Sequence, residues 1–217
     1  MASTRSRRKP NGSNSLEAKA REARIFRETK ETRIRLALNL DGEGRSRIDT
    51  GIPFFDHLLT LLAKHSLFDL DLRVKGDIEV DFHHTVEDCG IGLGMAIDQA
   101  LGDRAGIRRY SFGYLPMDET LVRVAIDISG RPLFVFRPPR GVKLMTLYAG
   151  TFPAQLIVEF LRALAQRAAF TLHVHVLETE EIHHMLEAII KGVARALRFA
   201  VERDLRVKGI PSSKGVL

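Results

Sequence analysis

The chain repeats itself, and the repeat limits what it can fold into. ETRIRLALNLDG (31–42) matches ETLVRVAIDISG (119–130) without a gap, sharing Glu, Thr, Arg, Ala and Gly while the apolar positions coincide. DHLLTLLAKHSLFDLDL (56–72) aligns with VEFLRALAQRAAFTLHV (158–174), and HHTVED (83–88) aligns with HHMLEA (183–188). The blocks recur in one order, at offsets of 88, 102 and 100. A duplicated unit of hairpin strands, helix, strand and helix is the natural reading. It predicts an α+β fold of two similar halves, roughly 25–105 and 110–203, each with helices packed on one face of its sheet. Each half is too small to hold a comfortable core alone, so the two should share one.

The periodicities agree. Ile34, Leu36, Leu38 and Leu40 alternate with polar residues as in a half-buried strand, and Asp41-Gly42-Glu43-Gly44 signals a turn. Residues 54–65 read as a helix, Phe68 to Val74 as a strand, and His83 to Leu101 as a second helix. The glycines of GIGLG (90–94) fit neither phosphate-loop nor dinucleotide spacing, which leaves close helix packing as their reading. The last segment, 204–217, contains Pro211 and has no helical period.

The net charge of +6 would suggest nucleic acid if it were spread over the chain. Residues 1–24 carry +5 of it, so the remainder is nearly neutral. The first 24 residues are expected to be a disordered basic tail rather than a nucleic-acid surface. They lack the apolar core of a secretory signal. No apolar run approaches a membrane span, so no membrane partner is expected. A single cysteine, Cys89, excludes an intrachain disulfide and a thiolate zinc cage, and fits a reducing compartment.

The residues that bear chemistry are paired. HHxxE occurs at His83-His84-x-x-Glu87 and again at His183-His184-x-x-Glu187. On a helix, the first His and the Glu are i and i+4 and share a face, whereas the second His points about 100° away. One helix start can therefore offer donors to two ions. The repeat sets His57 opposite Glu159, completing a tally of His57, His83, His84, Glu87, Glu159, His183, His184 and Glu187. Imidazole and carboxylate without thiolate suit Mn²⁺, Fe²⁺ or Zn²⁺. Glu31 and Glu119 begin matching strands and are candidate acid–base groups. Arg109 and Arg131 are candidate anion binders, and Ser212, Ser213 and Lys214 beside Gly215 suit a phosphate. His65, at a helix end, reads on its own as a cap or core group.

Taken together, GIPFFDHLL, DFHHTVEDCGIGLG, DISGRP, HHMLEAIIKGVARALR and IPSSKGVL, in that order, resemble the imidazoleglycerol-phosphate dehydratases of histidine biosynthesis, from about Arg27 to Leu217. The resemblance implies a monofunctional cytoplasmic hydro-lyase. It would turn D-erythro-imidazoleglycerol phosphate into imidazole-acetol phosphate, with two Mn²⁺ per active site stabilising an imidazolate and then a diazafulvene. It also implies a fold like ribosomal protein S5 domain 2 and a homo-24-mer with active sites between subunits. Carried over by position, the eight residues tallied above match metal ligands, with Glu159 standing where His is common. Glu31 matches a substrate-contacting carboxylate and is the first candidate proton shuttle, Glu187 the second. Arg109, Arg131, Lys191, Ser212, Ser213 and Lys214 match the phosphate-binding set, and His65 is carried with the substrate-binding residues, as are His57, His83, Glu87 and His183. Leu61 stands where many members carry Gln.

Two rival readings remain on the residues alone. A dinuclear metallohydrolase of a phosphate ester would also use two N/O sites, but would want a bridging Asp, and no Asp is expected beside the histidines. A non-catalytic cage would use the ions only as glue between subunits.

Overall fold

A computed structural model of the chain describes residues 20–217. Most of the tail expected over 1–24 lies outside them, but its expected end is corrected. Strand β1 (Glu22–Glu28) begins inside that stretch, and Arg21 is buried against Asp41 and the Val201 carbonyl. Charged residues at alternate positions conceal this strand: Ala23 and Ile25 face inward between Glu22, Arg24 and Phe26.

The duplication is visible element by element. In the first half, β1, β2 (Thr32–Asn39), β3 (Ser46–Asp49), α1 (Pro53–Ser66), β4 (Asp69–Gly76) and α2 (His83–Leu101) follow in order. The second half repeats them as β5 (Tyr110–Met117), β6 (Thr120–Asp127), β7 (Leu133–Arg137), α3 (Leu156–Arg167), β10 (Thr171–Glu178) and α4 (Ile182–Val201). The two four-stranded sheets have the same topology, β1-β2-β4-β3 and β5-β6-β10-β7. In each, the hairpin is antiparallel and the strand before the first helix pairs parallel with the strand after it. Alternation explains the burial: Ile34, Leu36 and Leu38 of β2 and Val122, Val124 and Ile126 of β6 turn to one face, which the helices cover.

The halves are interlocked rather than side by side. Helix α2 lies on β1 and β2 and packs against α3 of the other half; α4 lies on β5 and β6 and packs against α1. Apolar residues of both halves therefore form one continuous core. The GIGLG glycines serve the first crossing. A Cβ on Gly90 would sit 2.5 Å from the Phe160 carbonyl oxygen, and one on Gly94 would sit 2.7 Å from that of Leu164. Gly192 in α4 meets β6 similarly, with Val124 Cγ2 at 2.9 Å from such a Cβ.

In element order the halves differ at one place. Between β7 and α3 the chain inserts a segment with a short 3₁₀ turn (Leu144–Thr146), β8 (Tyr148–Ala149) and β9 (Phe152–Pro153). This is the offset jump seen in the sequence. The insertion buries Phe152 against Phe55, stacked at 6.0 Å, and against Phe54 at 5.7 Å. The C-terminal segment docks back on the start of the second half: Gly106 N donates to Gly209 O at 2.8 Å, and Asp204 N to Gly106 O at 2.9 Å.

The close crossing makes a testable contrast. Gly90→Ala pushes a Cβ into backbone that cannot yield, and should lower stability by about 1–3 kcal/mol. Gly92→Ala, whose Cβ would meet the Ile34 side chain at ordinary contact distances of 3.6 and 3.9 Å, should be neutral or gain up to about 1 kcal/mol of helix propensity. Urea unfolding of the two variants checks the order.

Candidate metal centre

The start of α4 is fixed by its own cap. Glu181 accepts hydrogen bonds from His183 N (3.0 Å) and His184 N (2.7 Å), satisfying donors that the helix cannot pair. Asp81 does the same for His83 N at 2.7 Å ahead of α2. With the helix starts held, the paired histidines diverge. The rings of His183 and His184 stand at 88° to each other, and those of His83 and His84 at 86°.

His183 turns toward α1. His57 Nε2 lies 2.6 Å and His183 Nε2 3.0 Å from the same oxygen, Glu187 Oε1. The three donor atoms lie within 4.8 Å of one another. The grouping crosses the halves: the first helix of one half meets the HHxxE of the other. Phe54 braces it, its ring 5.1 Å from that of His183 in an edge contact. Lys191, one turn beyond Glu187, donates to Glu187 Oε2. Burial raises the pKa of Glu187, but hydrogen bonds from His57, Lys191 and His183 outweigh it and bring the group down to about 2. Glu187 is therefore an ionised acceptor between two imidazoles that stay half exposed. Two nitrogens and a carboxylate oxygen around one point, open on the solvent side, make a donor set that a divalent first-row ion fits.

His184 turns the other way, toward the β5–β6 turn. Its Nδ1 lies 3.0 Å from Glu119 Oε2, and Asp118 completes a second group of ligand-type residues. Glu119 is held down to about 2 by the hydrogen bond from His184, and it pushes the imidazole up in return. In the first half, His84 Nδ1 lies 3.0 Å from Asp77 Oδ2, which raises its pKa, and Glu31 Oε1 stands 3.9 Å from His84 Nε2. Asp residues thus do approach the histidines, contrary to expectation. Asp77 engages the Nδ1 edge of a single ring.

The other predicted residues are less gathered. His83 Nε2 and Glu87 Oε2 are 3.7 Å apart, both half exposed. Glu159 lines the same cavity as His83, together with Phe136 and Leu144, but its carboxylate is paired with Arg162 one turn on. His65 continues the α1 face that carries His57 and Leu61; burial lowers its pKa, and the charges of Lys191 and Arg195 lower it further.

Of the expected phosphate set, Lys191 sits in this group, on Glu187, and the other members stand apart from it. Arg109 is buried and paired with Asp127, Nε to Oδ1 at 2.7 Å, and its Nη1 donates to the Pro211 carbonyl at 2.8 Å. It thereby holds the segment carrying Ser212, Ser213 and Lys214. Arg131 is exposed, 3.8 Å from Asp127. Ser212 Oγ accepts from Lys214 N at 3.2 Å, while Ser213 and Lys214 face solvent. Arg109 N donates to Ala200 O at 2.9 Å, near the end of α4. Glu187 and Ala200 are about 20 Å apart along that helix. Within one copy, Arg109 and the His57–His183–Glu187 group therefore occupy opposite ends of α4.

Comparisons with known proteins give the family. The family model of imidazoleglycerol-phosphate dehydratase matches residues 50–197. Imidazoleglycerol-phosphate dehydratase of Azorhizobium caulinodans is 57% identical over 198 residues, 91% of this chain and 98% of that protein. Its counterpart in Acetivibrio thermocellus is 50% identical over 197 residues, 91% of this chain and 99% of that protein. The crystal structure of the Staphylococcus aureus dehydratase superposes with a TM-score of 0.75 at 35% identity, covering 84% of this chain and 99% of that one. That from Pyrococcus furiosus gives 0.74 at 34% identity, covering 89% and 100%. A match of this extent, spanning both halves, places the chain in the imidazoleglycerol-phosphate dehydratase family.

Proposed function

We propose that this chain is a metal-dependent hydro-lyase that converts D-erythro-imidazoleglycerol phosphate to imidazole-acetol phosphate and water in histidine biosynthesis. The observation that carries the reading is the convergence of His57, His183 and Glu187 from different halves on one point. These three residues would hold one divalent ion, and His84, His184, His83, Glu87 and Glu159 would supply further positions. We assign manganese, two ions per active site, on the family resemblance; the imidazole and carboxylate donors are compatible with it. An ion there supplies Lewis-acid withdrawal of electron density from the substrate's imidazole ring.

The chain's own groups then divide the remaining work. Glu187 is occupied by two imidazoles and an ammonium and is a poor proton carrier, so it serves as a ligand. Glu31 is exposed and lies on the Nε2 side of His84, and we assign it the proton transfer that dehydration needs. Lys191, Arg131, Ser212, Ser213 and Lys214 bind the phosphate and fix the glycerol chain. Arg109, already paired with Asp127 and the Pro211 carbonyl, shapes the segment that carries three of them.

The length of α4 argues for a site shared between copies. A small phosphorylated imidazole cannot span the distance from Glu187 to the Arg109 end within one chain. The outer faces of the sheets favour the same view. The first is charged, with Arg33, Arg35, Asp71 and Arg73 exposed, whereas the second carries Tyr110, Phe112 and Tyr114 in the open. Phe112 is 84% exposed, which is unusual for a side chain with nothing to pack on. We propose that this face meets a second copy, in a cage of 24 with a cytoplasmic location. The metallohydrolase alternative is disfavoured by the family and by the placement of Asp77 on an Nδ1 edge.

Manganese-loaded protein should consume the substrate and form the ketone without releasing inorganic phosphate, and EDTA should abolish turnover; release of phosphate would favour a hydrolase. Arg131→Ala should raise KM about 10–100-fold with a smaller effect on kcat, the loss of one charged phosphate contact. At substrate well below the KM of Arg131→Ala, mixing His183→Ala and Arg131→Ala chains before reassembly should give more activity than either variant alone, because some of the mixed sites carry neither substitution. Phe112→Lys should reduce the particle mass measured by light scattering.

A further inference from the structure

The equivalent carboxylates of the two halves do different things. Glu31 and Glu119 are aligned by the repeat, each just before the inner strand of its sheet. Glu119 sits on His184 Nδ1 at 3.0 Å. Glu31 does not sit on His84 Nδ1, because Asp77 Oδ2 is already there at 3.0 Å. The residue that follows β10 at the place of Asp77 after β4 is Thr179. Thr179 is engaged with other partners. Its hydroxyl donates to the Glu181 carbonyl at 3.1 Å and lies 2.8 Å from Thr120 Oγ1, and Thr120 donates to Glu119 Oε1 at 3.1 Å. The same task, pairing with Nδ1 of the second histidine, thus falls to Asp77 in one half and to Glu119 in the other.

An ionised carboxylate can only accept, so in the neutral ring each pairing requires the proton on Nδ1 and leaves Nε2 as the free lone pair. Such an outer carboxylate fixes tautomer and ring orientation for a metal-binding imidazole. Asp77 is built in for a purpose beyond packing: its Oδ1 is buried without a hydrogen-bond partner among the described residues, a cost that a merely structural side chain would not be expected to carry. Its backbone is tied to the same turn as Glu31, since Asp77 N donates to Glu31 O at 3.1 Å.

We propose that Asp77 and Glu119 are positioning residues that present Nε2 of His84 and His184 as metal donors, and that Asp77 thereby releases Glu31 for proton transfer. Glu119, committed to His184, takes no part in the chemistry. The inference rests on the reading of His84 and His184 as ligands.

The test is manganese affinity of the assembled protein by paramagnetic resonance titration, together with ¹⁵N shifts of the histidine rings in metal-free protein. Glu119→Ala should weaken manganese binding about 10–100-fold and shift His184 from a single Nδ1–H tautomer to a mixture. Asp77→Ala should do the same at His84. Glu119→Gln, which keeps the side-chain shape, should show a smaller loss in the same direction. Thr179→Asp added to Glu119→Ala should restore the affinity, by giving the second half the first half's arrangement. His184→Ala is the control. If it loses manganese while Glu119→Ala keeps both the parent affinity and the parent tautomer, the positioning role is overturned. If His184→Ala itself binds manganese as the parent does, the ligand reading falls, and the inference with it.

Discussion

Helices of different halves cross in pairs, and the chemistry depends on those crossings. Gly90 and Gly94 let α2 approach α3 to backbone contact, and α1 meets α4 in the reciprocal pair. The second crossing brings His57 within 2.6 Å of Glu187, 130 residues away in the chain. Each half alone would offer donors on a helix with nothing opposite. The shared core makes this arrangement rigid: α1 and α4 are buried along the faces that meet, with Leu58, Leu62, Leu186 and Ile190 fully enclosed. Packing and ligand geometry are therefore one property of the fold.

The duplication was legible because its strands and helices alternate cleanly where they are buried. The first and last helices, the inner strands and the paired HHxxE segments all stand where their periodicities put them. The outer strands were harder to see. β1 intersperses charges, and β5 carries aromatics on its open face, so neither shows the polar–apolar alternation of a strand with one solvated side. The tail was read as running to residue 24 for this reason, although Arg21 and Ala23 are already buried.

For the site, sequence gave the residues and not their pairing. Alignment of the halves identifies equivalent positions, yet it does not say that a first helix faces the second helix of the other half. Arg109 was legible as a cation, but its partner Asp127 is a strand away, and only the structure shows the pair closing on the Pro211 carbonyl. Glu159 finds a nearer partner in Arg162, one turn along its own helix. Asp77 is not legible as a partner of His84, because nothing in the motif signals a carboxylate seven residues before that histidine. The two halves have kept a common scaffold while their polar contacts diverged, and Thr179 against Asp77 is the clearest instance.

The most direct measurement is anomalous diffraction at the manganese edge from crystals of the metal-loaded protein. A peak is expected bonded to His57 Nε2, His183 Nε2 and Glu187 Oε1 together, at coordination rather than hydrogen-bond distance from each. Density at any other donors, with those three atoms still hydrogen-bonded to one another, would contradict this placement.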